Sequence, residues 1–435
     1  MLKQKPREIA ADVLRRRARG EDYLENLIEA GTARAGLSPA DRGLVQELTC
    51  GVVRWQATLD WLIDRKTTSR PQKPTLQILL QLGLYQIFWL DRIPNHASVH
   101  ETVELAKQLG FVSQAGFINA ILRSYVREET ATRQLLADLK NIQPALGYSH
   151  PEWLLARWQT RWDAAKLRAL LGWNNTPPFT FARVNTFKTS TPQLLAQWQA
   201  EGVAAEVFHR DWIAGDLIFQ LKSHPPLSSL PSFREGKFYV QDPGTLLAVA
   251  ELEPQPGETI LDVCAAPGGK TTFIAQCMKS IGSIVATDTS SDRLKLLQEN
   301  CARLGASCVQ AKLVSASSPP DEKLFDRILI DAPCSNTGVL RRRVDLRWRI
   351  RPEEIDRLQD TQRELLQRAA SQLQPGGTLV YSTCSLEPEE NEQVVQTFLA
   401  SHPDFALVRE RQLLPFADGV DGAYVARLVR RHNQN

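Results

Sequence analysis

No two of the seven cysteines (Cys50, Cys264, Cys277, Cys301, Cys308, Cys334 and Cys384) stand at C-x-x-C spacing. That argues against a zinc site, and no metal is expected. The basic start, Met1-Leu-Lys-Gln-Lys-Pro-Arg7, has no apolar signal core behind it. An odd number of cysteines then fits reduced thiols in a cytosol better than a disulfide framework. Nor does any run approach the roughly eighteen apolar residues of a membrane span. The apolar stretch at 76–90 is broken by Gln77, Gln81, Gly83 and Gln86. The expectation is a cytoplasmic protein without a membrane partner. The formal net charge is only +3, so total charge names no partner; the placement of the arginines has to.

What is present is an ordinary globular composition, 43% hydrophobic and 23% charged, in 435 residues. That length predicts two or three domains. Residues 1–140 read as an all-α domain. Apolar positions recur at helical spacing (Leu59, Leu62, Ile63; Leu76, Leu79, Leu80, Leu82), and Pro71, Pro74 and Pro94 mark restarts. Residues 141–240 are cut into short pieces by prolines, with a strand at 179–185 and a helix at 193–199, and read as a linker or small α/β module. From 241 to 435, short β runs (259–263, 283–288, 324–331, 378–383 and 422–430) alternate with amphipathic helices. That alternation predicts a Rossmann-like, doubly wound parallel sheet. Ser290 and Gly305 bracket one helix as N-cap and C′ residue, and Pro352 opens another.

The first of these strands runs into Cys264-Ala265-Ala266-Pro267-Gly268-Gly269-Lys270. Small residues let a backbone approach a ligand closely, and a following helix offers unpaired N–H groups to an anion. Asp288 ends the second strand about twenty residues further on, where a carboxylate accepts from ribose hydroxyls. The pair points to a nucleoside-containing cofactor. G-x-G-x-x-G is missing, which disfavours a nicotinamide dinucleotide.

Three motifs follow in order at strand ends: residues 264–270, Asp331-Ala-Pro-Cys334-Ser and Ser382-Thr-Cys384-Ser. Together they closely resemble the RNA 5-methylcytosine methyltransferase family. Three further segments resemble the NusB-like domain of antitermination proteins. They are Thr49-Cys-Gly-Val-Val-Arg-Trp55 with Leu59-Asp60, His96-Ala-Ser-Val-His-Glu101 and onward to Lys107, and Gly116-Phe-Ile-Asn-Ala-Ile-Leu-Arg123. The combination is similar to the bacterial enzymes that methylate cytosine in small-subunit (16S) ribosomal RNA. The likeness implies S-adenosyl-L-methionine as cofactor, held by Cys264, Ala265, Ala266, Pro267, Gly268, Gly269, Lys270, Asp288 and Asp331. It implies Cys384 as nucleophile, Cys334 as the group assisting proton removal and product release, and Asp331 at the pyrimidine edge. One departure stands out. The family's usual acid near the adenine is missing from the segment 306–318, which holds no Asp or Glu.

The chemistry gives the cysteines a reason. Carbon 5 of cytosine is a weak nucleophile until a thiolate adds at carbon 6. A second acid–base group then serves proton loss and elimination. Arg341, Arg342, Arg343, Arg347 and Trp348, inside the basic run 341–351, are expected to meet RNA phosphates and an unpaired base. The target cytosine is expected to be unpaired or extruded, and the protein a monomer. Three alternatives stay open: a transfer RNA or large-subunit target, a DNA-type reaction with Cys334 of the Pro-Cys pair as nucleophile, and a non-catalytic ribosome-assembly or antitermination RNA-binding protein.

Overall fold

The computed structural model describes residues 5–33, 35–68, 70–315 and 323–432. Residues 1–4 of the basic start and 316–318 of the acid-free segment lie outside them. The chain divides into two compact units, one of residues 1–176 with 343–349, the other of 177–342 with 350–435.

The first unit is helical. The helix Pro74–Trp89 is buried on nearly every side, from Leu76 to Phe88, because apolar residues fall on all its faces and Gln81 and Gln86 are buried among them. The helices Pro6–Ala18, Pro39–Arg54, Asn95–Gln108 and Ala115–Arg127 pack against it or each other through narrower apolar faces. Helices continue past the expected boundary near 140, through Glu152–Gln159 and Ala164–Asn174, and the break falls at Thr176.

The second unit holds two sheets. In the smaller one, β1 (Thr180–Val184), β2 (Ala204–Val207), β3 (Ile218–Ser223) and β4 (Phe238–Val240) are ordered β2-β3-β1-β4, all antiparallel. The helix Thr191–Ala200 covers it through Leu194 and Trp198. The larger sheet contains β5 (Thr259–Val263), β6 (Ser283–Asp288), β7 (Val309–Leu313), β8 (Phe325–Asp331), β9 (Leu373–Thr383), β10 (Phe405–Leu413) and β11 (Ala423–Arg430). Its order is β10-β11-β9-β8-β5-β6-β7. Strands β7, β6, β5, β8 and β9 run parallel, and β11 and β10 close one edge antiparallel. Successive strands proceed from β5 outward to β7, and then the chain returns to β8 on β5's other side. The carboxyl ends of β5 and β8 therefore flank the topological switch point, where open α/β sheets bind ligands. The expected doubly wound sheet is the one observed.

Local chemistry sets the ends of these elements. Ser290 Oγ accepts from Arg293 N at 3.3 Å to start the helix Ser291–Leu304, and Gly305 takes the left-handed conformation at φ 82° to end it.

Candidate active site

The loop after β5 turns sharply into the helix Gly269–Cys277, with positive φ at Cys264 (60°) and Gly268 (99°). Only glycine takes the second of these without strain. Arg183 on β1 braces the start of this helix, donating to Gly269 O at 2.9 Å, Thr272 Oγ1 at 3.0 Å and Gln241 Oε1 at 2.8 Å. Burial pulls its pKa down to about 10. Burial raises the pKa of Cys264, in the same loop, to about 12.

Three carboxylates gather at neighbouring strand ends. Asp288, at the end of β6, is buried and accepts from Ser290 N at 3.0 Å and Ala266 N at 3.3 Å. Asp331, ending β8, pairs with Lys270 Nζ at 2.7 Å and accepts from Ser382 Oγ at 3.1 Å. Burial opposes the Lys270 charge, but the Asp331 carboxylate outweighs it and the pKa ends above the ordinary lysine value. Sequence reasoning missed the third, Asp262 on β5. It is fully buried, takes Thr271 Oγ1 at 2.6 Å on one oxygen, and has no hydrogen-bond partner on Oδ1 among the described residues. Desolvation, reinforced by Asp331 and Asp288, pushes its pKa up to about 7.

The two motif cysteines meet. Cys334, in the loop after β8, and Cys384, immediately after β9, stand 3.3 Å apart at sulfur. Cys384 is half-buried and Cys334 buried. Cys384 Sγ donates to Asn336 Oδ1 at 3.1 Å, and Asn336 Nδ2 reaches Cys334 O at 2.5 Å. Asn336 sits at φ 60°, a conformation asparagine tolerates better than most residues. Gly338 N donates to Cys384 O at 2.9 Å, and a β-carbon on Gly338 would come within 2.7 Å of that oxygen. Only glycine fits there. A hydrogen bond with Cys384, then burial, raises the Cys334 pKa well above its usual value, and the Glu390 carboxylate adds to the effect.

A cavity of about 50 Å³ opens beside this pair, and Lys270, Asp331, Cys384, Asp242 and Asp421 are among its lining residues. The acids Asp242 and Asp421 correct one expectation. Arg341, placed among the RNA-binding residues, is fully buried and pairs with Asp421 at 2.7 Å and Asp242 at 3.6 Å. Arg342 is half-buried and binds the same two acids. Arg347 and Trp348 depart as well. Arg347 is buried within the helical unit, donating to Arg54 O at 3.0 Å, Ser149 O at 3.0 Å, Asn174 O at 2.9 Å and Asn175 Oδ1 at 2.8 Å. Trp348 packs on that unit's core and donates to Val53 O at 2.7 Å. Charge in a sequence does not say which guanidinium finds buried carbonyls and carboxylates. Of the five, only Arg343 is exposed.

Known proteins are similar to this chain over most of its length. Residues 249–429 match the 16S rRNA methyltransferase RsmB/F family, residues 4–127 the NusB family, and residues 150–211 the ferredoxin-like domain of RsmF/B-like methyltransferases. The probable ribosomal RNA small subunit methyltransferase B of Bacillus subtilis is 34% identical over 99% of this chain and 100% of its own. The ribosomal RNA small subunit methyltransferase B of Cronobacter sakazakii is 37% identical over 94% of this chain and 97% of its own. The chain belongs to the ribosomal RNA small subunit methyltransferase B family. Among solved structures, a methyltransferase homolog protein from Pyrococcus horikoshii aligns with 66% of this methyltransferase and 97% of its own chain, at 29% identity and TM-score 0.57. The protein is an S-adenosylmethionine-dependent RNA methyltransferase of that family. Among the described residues no helix is long and apolar enough to cross a membrane, and no side-chain cluster suits a metal ion.

Proposed function

We propose that this methyltransferase methylates carbon 5 of an unpaired or extruded cytosine in 16S ribosomal RNA, in the cytoplasm where ribosomes assemble. Cys384 is the covalent nucleophile. The observation carrying this reading is the 3.3 Å separation of Cys334 and Cys384 sulfurs beside the Lys270–Asp331 pair.

Two sulfurs at this distance share one negative charge more readily than two. Their surroundings are unequal. Cys334 is buried with the Glu390 carboxylate nearby, whereas Lys270 responds to charge on Cys384. Attack therefore falls to Cys384, the less buried sulfur and the one that lines the cavity, which adds to carbon 6 and turns carbon 5 into an enamine-like nucleophile. Once Cys384 is tied up in the carbon–sulfur bond, the main cause raising the Cys334 pKa is gone. Cys334 then loses its proton to water and takes the one on carbon 5, and elimination frees Cys384. The DNA-type alternative asks the more buried, charge-disfavoured thiol to attack first.

The residues present fit S-adenosylmethionine. The turn at residues 264–268, the buried Asp288 and the orphaned Asp262 Oδ1 supply close backbone approach and acceptors for hydroxyl or amino groups. When bound, the cofactor supplies an electrophilic methyl group on a sulfonium. Lys270, 2.7 Å from Asp331, orients that carboxylate to receive the amino edge of the pyrimidine. Incubating purified protein with labelled S-adenosylmethionine and 16S RNA, followed by nucleoside digestion, should yield labelled 5-methylcytidine. Label in another nucleoside, or only in DNA, would refute the assignment.

A further inference from the structure

Each motif cysteine is followed by a serine, Ser335 after Cys334 and Ser385 after Cys384. Neither serine is among the lining residues of the cavity, and both are buried. They converge on one carboxylate. Glu390, fully buried in the loop beyond β9, accepts from Ser335 N at 2.7 Å and from Ser335 Oγ, and from Ser385 Oγ at 2.5 Å. Gln362 Nε2 donates to it at 3.2 Å and also to Pro333 O at 2.9 Å. The Glu390 main-chain oxygen accepts from Tyr381 OH at 2.6 Å, which fixes the residue against β9 itself.

We propose that Glu390 is a positioning residue for the two-cysteine chemistry: its carboxylate, gripping Ser335 and Ser385, ties the Cys334 loop to the Cys384 loop and sets the spacing of the two sulfurs. The inference rests on the reading that both cysteines react. The loops come from different strands, and hydrogen bonds through the serine hydroxyls are what a buried acid adds beyond packing. A carboxylate suits the task because every group aimed at it is a donor, and an acceptor-only group satisfies them all at once. An apolar side chain of equal volume would take the acceptor from the buried Ser335 amide and leave the two hydroxyls to each other, at 3.1 Å, and to Thr337 Oγ1.

The direct readout is the spacing itself. Treated with diamide, which oxidises two neighbouring thiols to a disulfide and is reduced to its hydrazine, the wild type should form a Cys334–Cys384 bond, mapped by mass spectrometry. Glu390→Ala should slow that bond and the methyl-transfer kcat by about tenfold or more, as loose positioning does. S-adenosylmethionine affinity should stay within about twofold, as for a site whose own contacts are intact. Glu390→Gln, which retains an acceptor and reaches both hydroxyls, should recover most of both rates. If Glu390→Ala does not fold, the double variant Ser335→Ala/Ser385→Ala carries the same expectation. A wild-type disulfide rate in either variant, or a loss of cofactor affinity matching the loss of rate, overturns the proposal. Slowed disulfide formation in a protein that makes no 5-methylcytidine would uphold the positioning role and refute the reaction assigned above.

Discussion

Asp262 shows how a side chain can be made costly by its place. On the second turn of a surface helix it would be an ordinary carboxylate; inside β5, with Asp288 and Asp331 on the flanking strands, burial pushes its pKa up to about 7. The unfolded chain ionises it near 3.8, so between these values the folded state binds the extra proton. Its contribution to stability is thus intact below about pH 4, declines as pH rises toward 7, and is lost above. Asp262→Asn removes the titration while keeping the Thr271 hydrogen bond. Relative to wild type, the variant should gain about 2–3 kcal/mol between pH 5 and pH 8, read from urea unfolding at both values. A difference that does not change with pH would mean the carboxyl is already ionised at pH 5. At this scale the sequence was legible where a motif repeats a chemical demand. The two cysteines and the 264–270 loop stand out because their residue types are unusual in loops. Glu390 did not, since one acid in Glu387-Pro-Glu-Glu390 looks like its neighbours until the serines are seen to face it.

Among the elements, the strands of the large sheet were readable because β5, β6 and β8 are apolar runs buried on both faces. β10 was not, because its middle reads Arg409-Glu410-Arg411 and, at the edge of the sheet, residues 407–410 are exposed on both faces. The segment 341–349 shows the sharper failure. Its arginines are charged in any reading, yet Arg341 lies under Asp242 and Asp421 and Arg347 under four carbonyl oxygens. Arg343→Ala and Arg341→Ala should therefore behave differently. Loss of the exposed Arg343 should lower the slope of log RNA affinity against log salt by about 0.7–0.9, with thermal stability unchanged. Arg341→Ala should leave Arg342 alone to compensate two buried acids and destabilise the protein, by up to the roughly 3–5 kcal/mol of a broken buried pair. Equal stability of the two variants would contradict the buried pairing.

For the whole molecule, the division of labour between a helical unit and a two-sheet unit was visible in the change from helical spacing to alternating β runs. Their boundary was not. Residues 343–349, which follow the Cys334 loop in sequence, join the helical unit, where Arg347 satisfies carbonyls of Arg54, Ser149 and Asn174. Long-range contacts of that kind leave no local signature, since the residues involved are nearly two hundred or more positions apart in most cases. The helical unit is consequently incomplete as the contiguous piece 1–176. The chemistry proposed for the two-sheet unit rests on the order in which two neighbouring sulfurs act. The most direct measurement is a denaturing gel of protein incubated with RNA and S-adenosylmethionine, comparing Cys334→Ala with Cys384→Ala. With Cys384 as nucleophile and Cys334 needed for release, Cys334→Ala should accumulate a covalent protein–RNA adduct and Cys384→Ala should show none. An adduct in Cys384→Ala and none in Cys334→Ala would contradict the account and make Cys334 the attacking group.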